Sequence, residues 1–476
     1  MLENHRAGMR WIAIILILLF SLGQATLAQT RAEDRKILAL EDAVDFALKN
    51  YPAVRASVER VKAAQAGIGL ARTNYLPRAD MLWQTNRATD NNITGLLLSQ
   101  SIISPITGVV RTSPTNQSAW GSAAGLLFSW EPFDFGYRGA KVDAAGATRD
   151  RATAEASLTR LDVAVATVNA YLTVLAAQRT VLAAEADVQR RETFGKSVHV
   201  LVDNQLRAGA DASRADAELA RARVNLARAK QQEKISRAAL ADILGLPDTS
   251  VEVSEGSLLG PPPDGSLPDT PLSKNPIAEV QHARVEEGLA QVHILDRSYY
   301  PKFYLQSSVS GRGSGWDPVG NFEEGTAGLG PDRSNWAVGL SVTFPVFDIF
   351  SIRSRKAIES ANERAEAARY DQTLQDLTGQ LRKAQASLEG ARSVAENTPQ
   401  ELGAARTTET QERARYEAGL ATLVDVTDAQ SLLVQAETDD ALARLAVWQN
   451  LAAVAASQGD LQPFLQFLRD KTQGGQ

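Results

Sequence analysis

At 476 residues, with 50 basic against 56 acidic side chains and a net charge of −6, the chain carries no basic stripe, which argues against a nucleic-acid partner. Cysteine is absent, which excludes disulfides and anchoring through a lipidated cysteine. Aromatic residues are only 6% of the chain, so alanine must do much of the packing, as it does where helices approach closely.

Residues 1–28 read as a secretory signal: His5, Arg6 and Arg10 lead into the apolar run Trp11 to Phe20, and Thr26-Leu27-Ala28 supplies small residues before a cut. A membrane anchor is the alternative, but the run is shorter than the roughly 20 residues of a spanning helix. No later segment reads as spanning.

The remainder is said nearly twice. Asn50-Tyr51-Pro52 opens an Ala-rich helical stretch that runs to Tyr75-Leu76-Pro77, and Lys274-Asn275-Pro276 opens another that runs to Tyr299-Tyr300-Pro301. The prolines recur at one interval, since 276 − 52 equals 301 − 77. The repeat gives a first copy over 29–247, a Pro-rich linker over 248–273, a second copy over 274–460 and a tail over 461–476, in which Pro463 and the short run Phe464 to Leu468 end the ordered chain and 473–476 is expected to fray.

Each copy continues into strands. Near 76–85 and 303–311 the patterns are short; over 121–130 and 336–344 they are clear. Trp336, Val338, Leu340, Val342 and Phe344 share one face, and Ala337, Gly339, Ser341 and Thr343 the other. An apolar face edged by Trp130, Trp336 and Phe344 is expected of a membrane-spanning strand with interface aromatics, although a sandwich strand alternates equally well. Four strands cannot close a barrel, whose smallest bacterial form uses about eight, so spanning requires oligomerisation. The joining segments, 86–118 and 312–335, are Gly-, Ser- and Asn-rich loops that belong in water; the first contains the apolar run 93–110, which folds over the mouth or packs locally.

From Gly136 to about His199, and from Ile352 to about Arg406, long helices are permitted, of roughly 80–100 Å. Leucines at three and four spacing make coiled-coil seams, and a return helix follows each. The turns read Arg207-Ala208-Gly209 and Tyr416-Glu417-Ala418-Gly419, with glycine suited to a tight reversal. Asp425 and Asp428 share a helical face, as a cation-favouring pair or as acids complementing a helix start. With Gly209 matched to Gly419, Ala215 falls at the spacing of Asp425, with Asp216 one later, which leaves Asp425 and Asp428 without an exact counterpart in the first hairpin.

The doubled Asn/Tyr-Pro openings, the Tyr-Pro turns into the strands, Phe133-Asp134-Phe135-Gly136 and Arg415-Tyr416-Glu417-Ala418-Gly419 with Asp425-Val426 together resemble the outer-membrane efflux proteins, the TolC-like trimeric channel-tunnels. The resemblance covers almost everything after the signal. It implies a mainly α protomer with a small transmembrane β part, trimerising into a twelve-stranded barrel on an α-helical barrel in the outer membrane of a Gram-negative bacterium, with a long periplasmic extension. It further implies an exit duct for small molecules or proteins, working with a periplasmic adaptor and an inner-membrane transporter. Ala208, Gly209 and Ala210, with Gly419, Leu420, Ala421 and Thr422, would be docking tips. Asp425, Asp428 and Tyr416 would form the periplasmic gate, with crowded carboxylates raising one another's pKa. Ala421 stands where some members have arginine, so their closing network is not reproduced at that position.

Catalytic chemistry is not expected. Only four histidines are present, one of them in the signal, and no phosphate loop, nucleophile motif, metal cluster or cofactor site appears in the sequence. A soluble periplasmic adaptor or coiled-coil scaffold is the rival reading, distinguished by its lack of spanning strands.

Overall fold

The computed structural model describes residues 36–89, 116–246, 251–260, 265–317 and 321–473. The signal over 1–28 and the apolar run over 93–110 lie outside them. The elements are β1 (Lys36–Leu38), α1 (Leu40–Asn50), α2 (Pro52–Thr73), β2 (Arg78–Thr89), β3 (Ser118–Trp130), α3 (Tyr137–Asp203) and α4 (Gly209–Ile243) in the first copy. β4 (Val251–Val253) follows, then α5 (Pro276–Arg297), β5 (Lys302–Ser314), β6 (Arg333–Thr343), α6 (Asp348–Glu417), α7 (Leu423–Gln458) and α8 (Gln462–Gln473).

Pro52 and Pro276 take the first positions of α2 and α5, where a missing N–H costs nothing. Asn275 adds a cap, accepting from the Ile277 N–H at 2.9 Å. The Phe-Asp-Phe-Gly exit from β3 is also a capping device. Asp134 accepts from the backbone N–H groups of Gly136 at 3.2 Å and Arg138 at 2.6 Å, and pairs with the Arg138 guanidinium at 2.9 Å. Burial opposes the Asp134 charge, but the bonds from Arg138 prevail and hold its carboxyl below the usual range. Arg138 also donates to the Asn74 carbonyl and stacks on Tyr75, so the start of α3 is locked to the end of α2.

The long helices run somewhat past the expected bounds, α3 to Asp203 and α6 to Glu417. α6 runs straight through Pro399, because Ala395, Thr398 and Ala405 are buried and Thr398 bonds to Asp440 of α7 at 3.2 Å. Tertiary packing outweighs the roughly 3 kcal/mol local cost of an interior proline. α3 is the described helix long and apolar enough to cross a membrane, which the sequence reading missed, yet its apolar window is 56% buried. It lies among α2, α4, α5 and α7, which cover just over half of that window.

Around α3 lies the main core, centred on Tyr171, Trp448 and Phe464. The expected linker and tail both contribute to it. β4 pairs in parallel with β1, from Lys36 opposite Val251 to Leu38 opposite Val253. The run that ends the ordered chain lies within α8, where Phe464, Leu465 and Leu468 fall on one helical face and are buried, with Phe464 edge-on to Trp448. The Tyr171 hydroxyl lies 2.9 Å from the Leu38 carbonyl and 2.6 Å from that of Ser254, tying α3 to both strands of the small sheet.

Tyr171→Phe should therefore lower stability by about 1 kcal/mol, read as a drop in the thermal midpoint of the detergent-solubilised protein. An unchanged midpoint would show that the hydroxyl does not tie these strands to α3.

Candidate functional site

Two regions carry the functional geometry: the four-stranded sheet and the ends of the long hairpins. The sheet has the order β2-β3-β5-β6, antiparallel throughout. Its register aligns Met81, Leu126, Val309 and Trp336 on one rung. Val338, Leu340 and Val342 continue that face along β6, and Phe344 follows the strand's last residue. Among the described residues it is largely uncovered: Trp336 is 79% exposed, Val338 66%, Leu340 67% and Phe344 63%. Trp130 closes the helix-side edge beside Leu305, and its indole N–H donates to the Tyr75 carbonyl at 3.1 Å. From Trp336 to Phe344 the strand rises about 27 Å, the scale of the apolar band of an outer-membrane barrel, about 25 Å.

The two hairpin turns are built alike. Leu206 N–H bonds to the Leu201 carbonyl at 2.9 Å, and Leu420 N–H to the Arg415 carbonyl at 2.8 Å, the same six-to-one closure at the ends of α3 and α6. The left-handed residue is Gln205 in the first, at φ 61°, and Gly419 in the second, at φ 79°. Gly209 is not the turn residue; it is the first residue of α4, after an N-cap at Ala208. The equivalence of the copies is thereby corrected by four positions. Gln205 matches Gly419, Arg207 matches Ala421, Ala208 matches Thr422, and Asp211, not Ala215, matches Asp425.

That register makes the tips chemically different. In the second hairpin, Asp425 closes a capping box with Thr422: its Oδ2 accepts from the Thr422 N–H and hydroxyl, both at 2.7 Å. The Thr422 hydroxyl bond is what holds the Asp425 carboxyl below its ordinary value, so within the chain its pKa moves opposite to the direction expected from crowded acids. Asp428 is exposed on the same face. In the first hairpin, Ala208 offers no hydroxyl, and Asp211 instead accepts from the Tyr416 hydroxyl of the other hairpin at 3.2 Å. Arg207 lies over the Tyr416 ring, 4.3 Å from its centroid, and donates to the Tyr416 carbonyl. The ring is fully buried with Phe194, Val198, Ala215, Leu423 and Val426. Burial first, then the Asp211 charge, pushes the Tyr416 phenol up to about 12.

Of the residues singled out in the sequence, Tyr416 thus joins both hairpins, Asp425 and Asp428 share an exposed face, and Leu420 projects from its turn at 72% exposure. Arg207 and Asp211 were missed. Their signal is the leucine-aligned repeat of 206–211 against 420–425, obscured by the displaced glycine.

Residues 43–246 and 267–460 match the outer membrane efflux protein family. The chain belongs to that family. It is an outer-membrane protein with the architecture of a transport duct rather than an enzyme, which removes the soluble-adaptor reading. The efflux protein is 26% identical over 437 residues to Protein CyaE of Bordetella pertussis, spanning 89% of this chain and 84% of that one. It is 25% identical over 435 residues to the pyoverdine export outer membrane protein OpmQ of Pseudomonas aeruginosa, spanning 88% and 83%. Its fold matches the outer membrane protein VceC of Vibrio cholerae, with a TM-score of 0.68 at 20% identity over 88% of this chain and 96% of that one. It also matches the CmeC outer membrane channel of Campylobacter jejuni, with a TM-score of 0.70 at 16% identity over 91% and 89%.

Further along the hairpins of this efflux protein, a second set of bonds joins them. Arg190 of α3 makes a paired contact with Glu437 of α7, at 3.2 and 2.9 Å. The buried Arg191 bonds to Glu218 of α4 at 3.0 Å and Ser431 of α7 at 3.1 Å. The tip contacts through Tyr416 are therefore the outermost of a series.

Arg207→Ala combined with Tyr416→Phe should speed amide exchange in both turns about tenfold, the equivalent of 1.4 kcal/mol, while exchange around Tyr171 stays unchanged. Unaltered protection at the turns would show that these contacts do not hold the tips together. Because the folded Tyr416 value lies above the ordinary tyrosine range, its contribution is fully present below that range and is lost only as pH rises through about 12.

Proposed function

We propose that three copies of this efflux protein form the exit duct of a tripartite efflux or type I secretion system, passing small molecules or proteins from an inner-membrane transporter and a periplasmic adaptor to the cell exterior. The observation that carries this reading is the sheet, which combines an uncovered apolar face of membrane height with two free edges, β2 and β6. In lipid those edges must pair, and equal copies arranged about one axis pair them all. Three protomers of four strands give twelve, within the range of outer-membrane barrels. The long helices then extend into the periplasm.

At the far end, the exposed turns, residues 208–210 and 419–422, are the adaptor-docking surface. Tyr416, held by Arg207 and Asp211, keeps the second hairpin against the first in the closed state. Asp425 and Asp428 form two stacked rings of carboxylate around the constriction. The capping hydrogen bonds keep Asp425 ionised throughout the physiological range, so the gate favours cations and excludes anions until the hairpins separate. The chain contributes a conduit and a gate; the energy comes from the transporter.

Asp425→Asn with Asp428→Asn retains acceptors for Thr422 and removes the charge. In planar bilayers this variant should lose most of the block by multivalent cations at the periplasmic side while keeping its conductance. Block equal to that of the unaltered protein would remove the gate assignment.

A further inference from the structure

One rung of the sheet carries chemistry that a passive wall does not need. Gln84 stands opposite Ala123, Ala123 opposite Arg312, and Arg312 opposite Arg333, so all four share one face across the four strands. Strand alternation puts that face opposite the one bearing Met81, Leu126, Val309 and Trp336, and therefore toward the lumen. Ala123 is 1% exposed and packs with Leu82 and Leu127 of the same face, so the middle of the rung is small and closed while its flanks are polar.

The polar groups are left incomplete. Arg312 Nη1 and Gln84 Oε1 are buried, and neither has a hydrogen-bond partner among the described residues. Arg312 feels the positive charge of Arg333. Asp80, an acid on the same face of β2, is paired with Arg78 at 2.8 Å. Like charges directly opposed on an antiparallel pair are unfavourable, and a guanidinium whose buried Nη1 lacks an acceptor adds to the cost. A negatively charged group between the two guanidiniums would relieve both, and the planar fork of arginine fits carboxylate and phosphate oxygens. The Gln84 amide can turn its NH2 toward the same place.

We infer that Gln84, Arg312 and Arg333 form an anion-binding rung in the lumen, near the end of the sheet that carries the long loops, for solutes bearing carboxylate or phosphate groups. The inference rests on the barrel reading, which decides that this face is the lumen. It gives the duct two opposed collars, acidic at the hairpin tips and basic toward the exit. A solute with negatively charged groups, once past the gate, meets a favourable site on the outward side, which opposes its return.

The test is calorimetric titration of sodium citrate, and separately of sodium tripolyphosphate, into detergent-solubilised protein freed of lipopolysaccharide. Both anions should bind the unaltered protein, and affinity should fall about tenfold in Arg312→Gln and in Arg333→Gln. Gln84→Glu, which adds a competing carboxylate to the rung, should weaken binding without removing an arginine and guards against a folding defect in the other variants. No binding to the unaltered protein, equal binding in all variants, or binding only when lipopolysaccharide is restored would overturn the assignment; the last would place the anion on the lipid side. Conductance in planar bilayers separates this from the duct itself. Citrate binding by a protein that does not conduct counts against the duct, whereas conduction without citrate binding counts against the rung alone.

Discussion

The unpaired edges of the four-stranded sheet are the constraint on which everything else depends. β2 and β6 each end the sheet with no further strand paired to them among the described residues, beside an apolar face that belongs in hydrocarbon. In water such a sheet would aggregate, and in lipid each unsatisfied group costs several kcal/mol. Closure between copies meets both demands at once. It also fixes the fate of the helices: the Asp134–Arg138 lock sets α3 on the end of β3, so a closed ring of strands imposes a ring of hairpins beneath it.

Duplication supplies the repeated unit, and the departures from it supply control. The two turns share their backbone closure to the residue, yet Ala208 replaces Thr422 and Arg207 replaces Ala421. The missing hydroxyl leaves Asp211 for Tyr416 instead of its own helix cap. The arginine missing from position 421 has a counterpart at 207, where it holds the same tyrosine within one chain. Both hairpins thus carry an acid at the third helical position, one used to join the hairpins and the other to cap a helix and face outward. In the proposed trimer a sixfold pattern would become threefold through this difference in hydrogen bonding at Asp211 and Asp425, and through Arg214, which stands where the second hairpin has Asp428.

Much of this is legible in the sequence, for identifiable reasons. The strands are visible because lipid on one side and a small, polar lining on the other enforce period two, as in 336–344. The hairpins are visible because their seams repeat at three and four. The tip register is not visible, because Gly209 attracts the turn assignment while the left-handed position falls to Gln205, a residue with no strong preference for it. Why Pro399 leaves α6 unbroken is not visible locally, since the contacts that override it come from α7, far along the chain. The role of residues 251–253 is set by docking against β1, which no local pattern announces, whereas the one-sided apolar run 464–468 is visible but its partner Trp448 is not.

The most direct test of cyclic closure is disulfide crosslinking between the edges. The chain has no cysteine, so single cysteines introduced along β2 and β6 report only on each other. Closure predicts that at one register the oxidised protein runs as a covalent trimer in denaturing gels, with dimers as intermediates and nothing larger. Absence of any β2–β6 crosslink, or a ladder extending beyond the trimer, would contradict it.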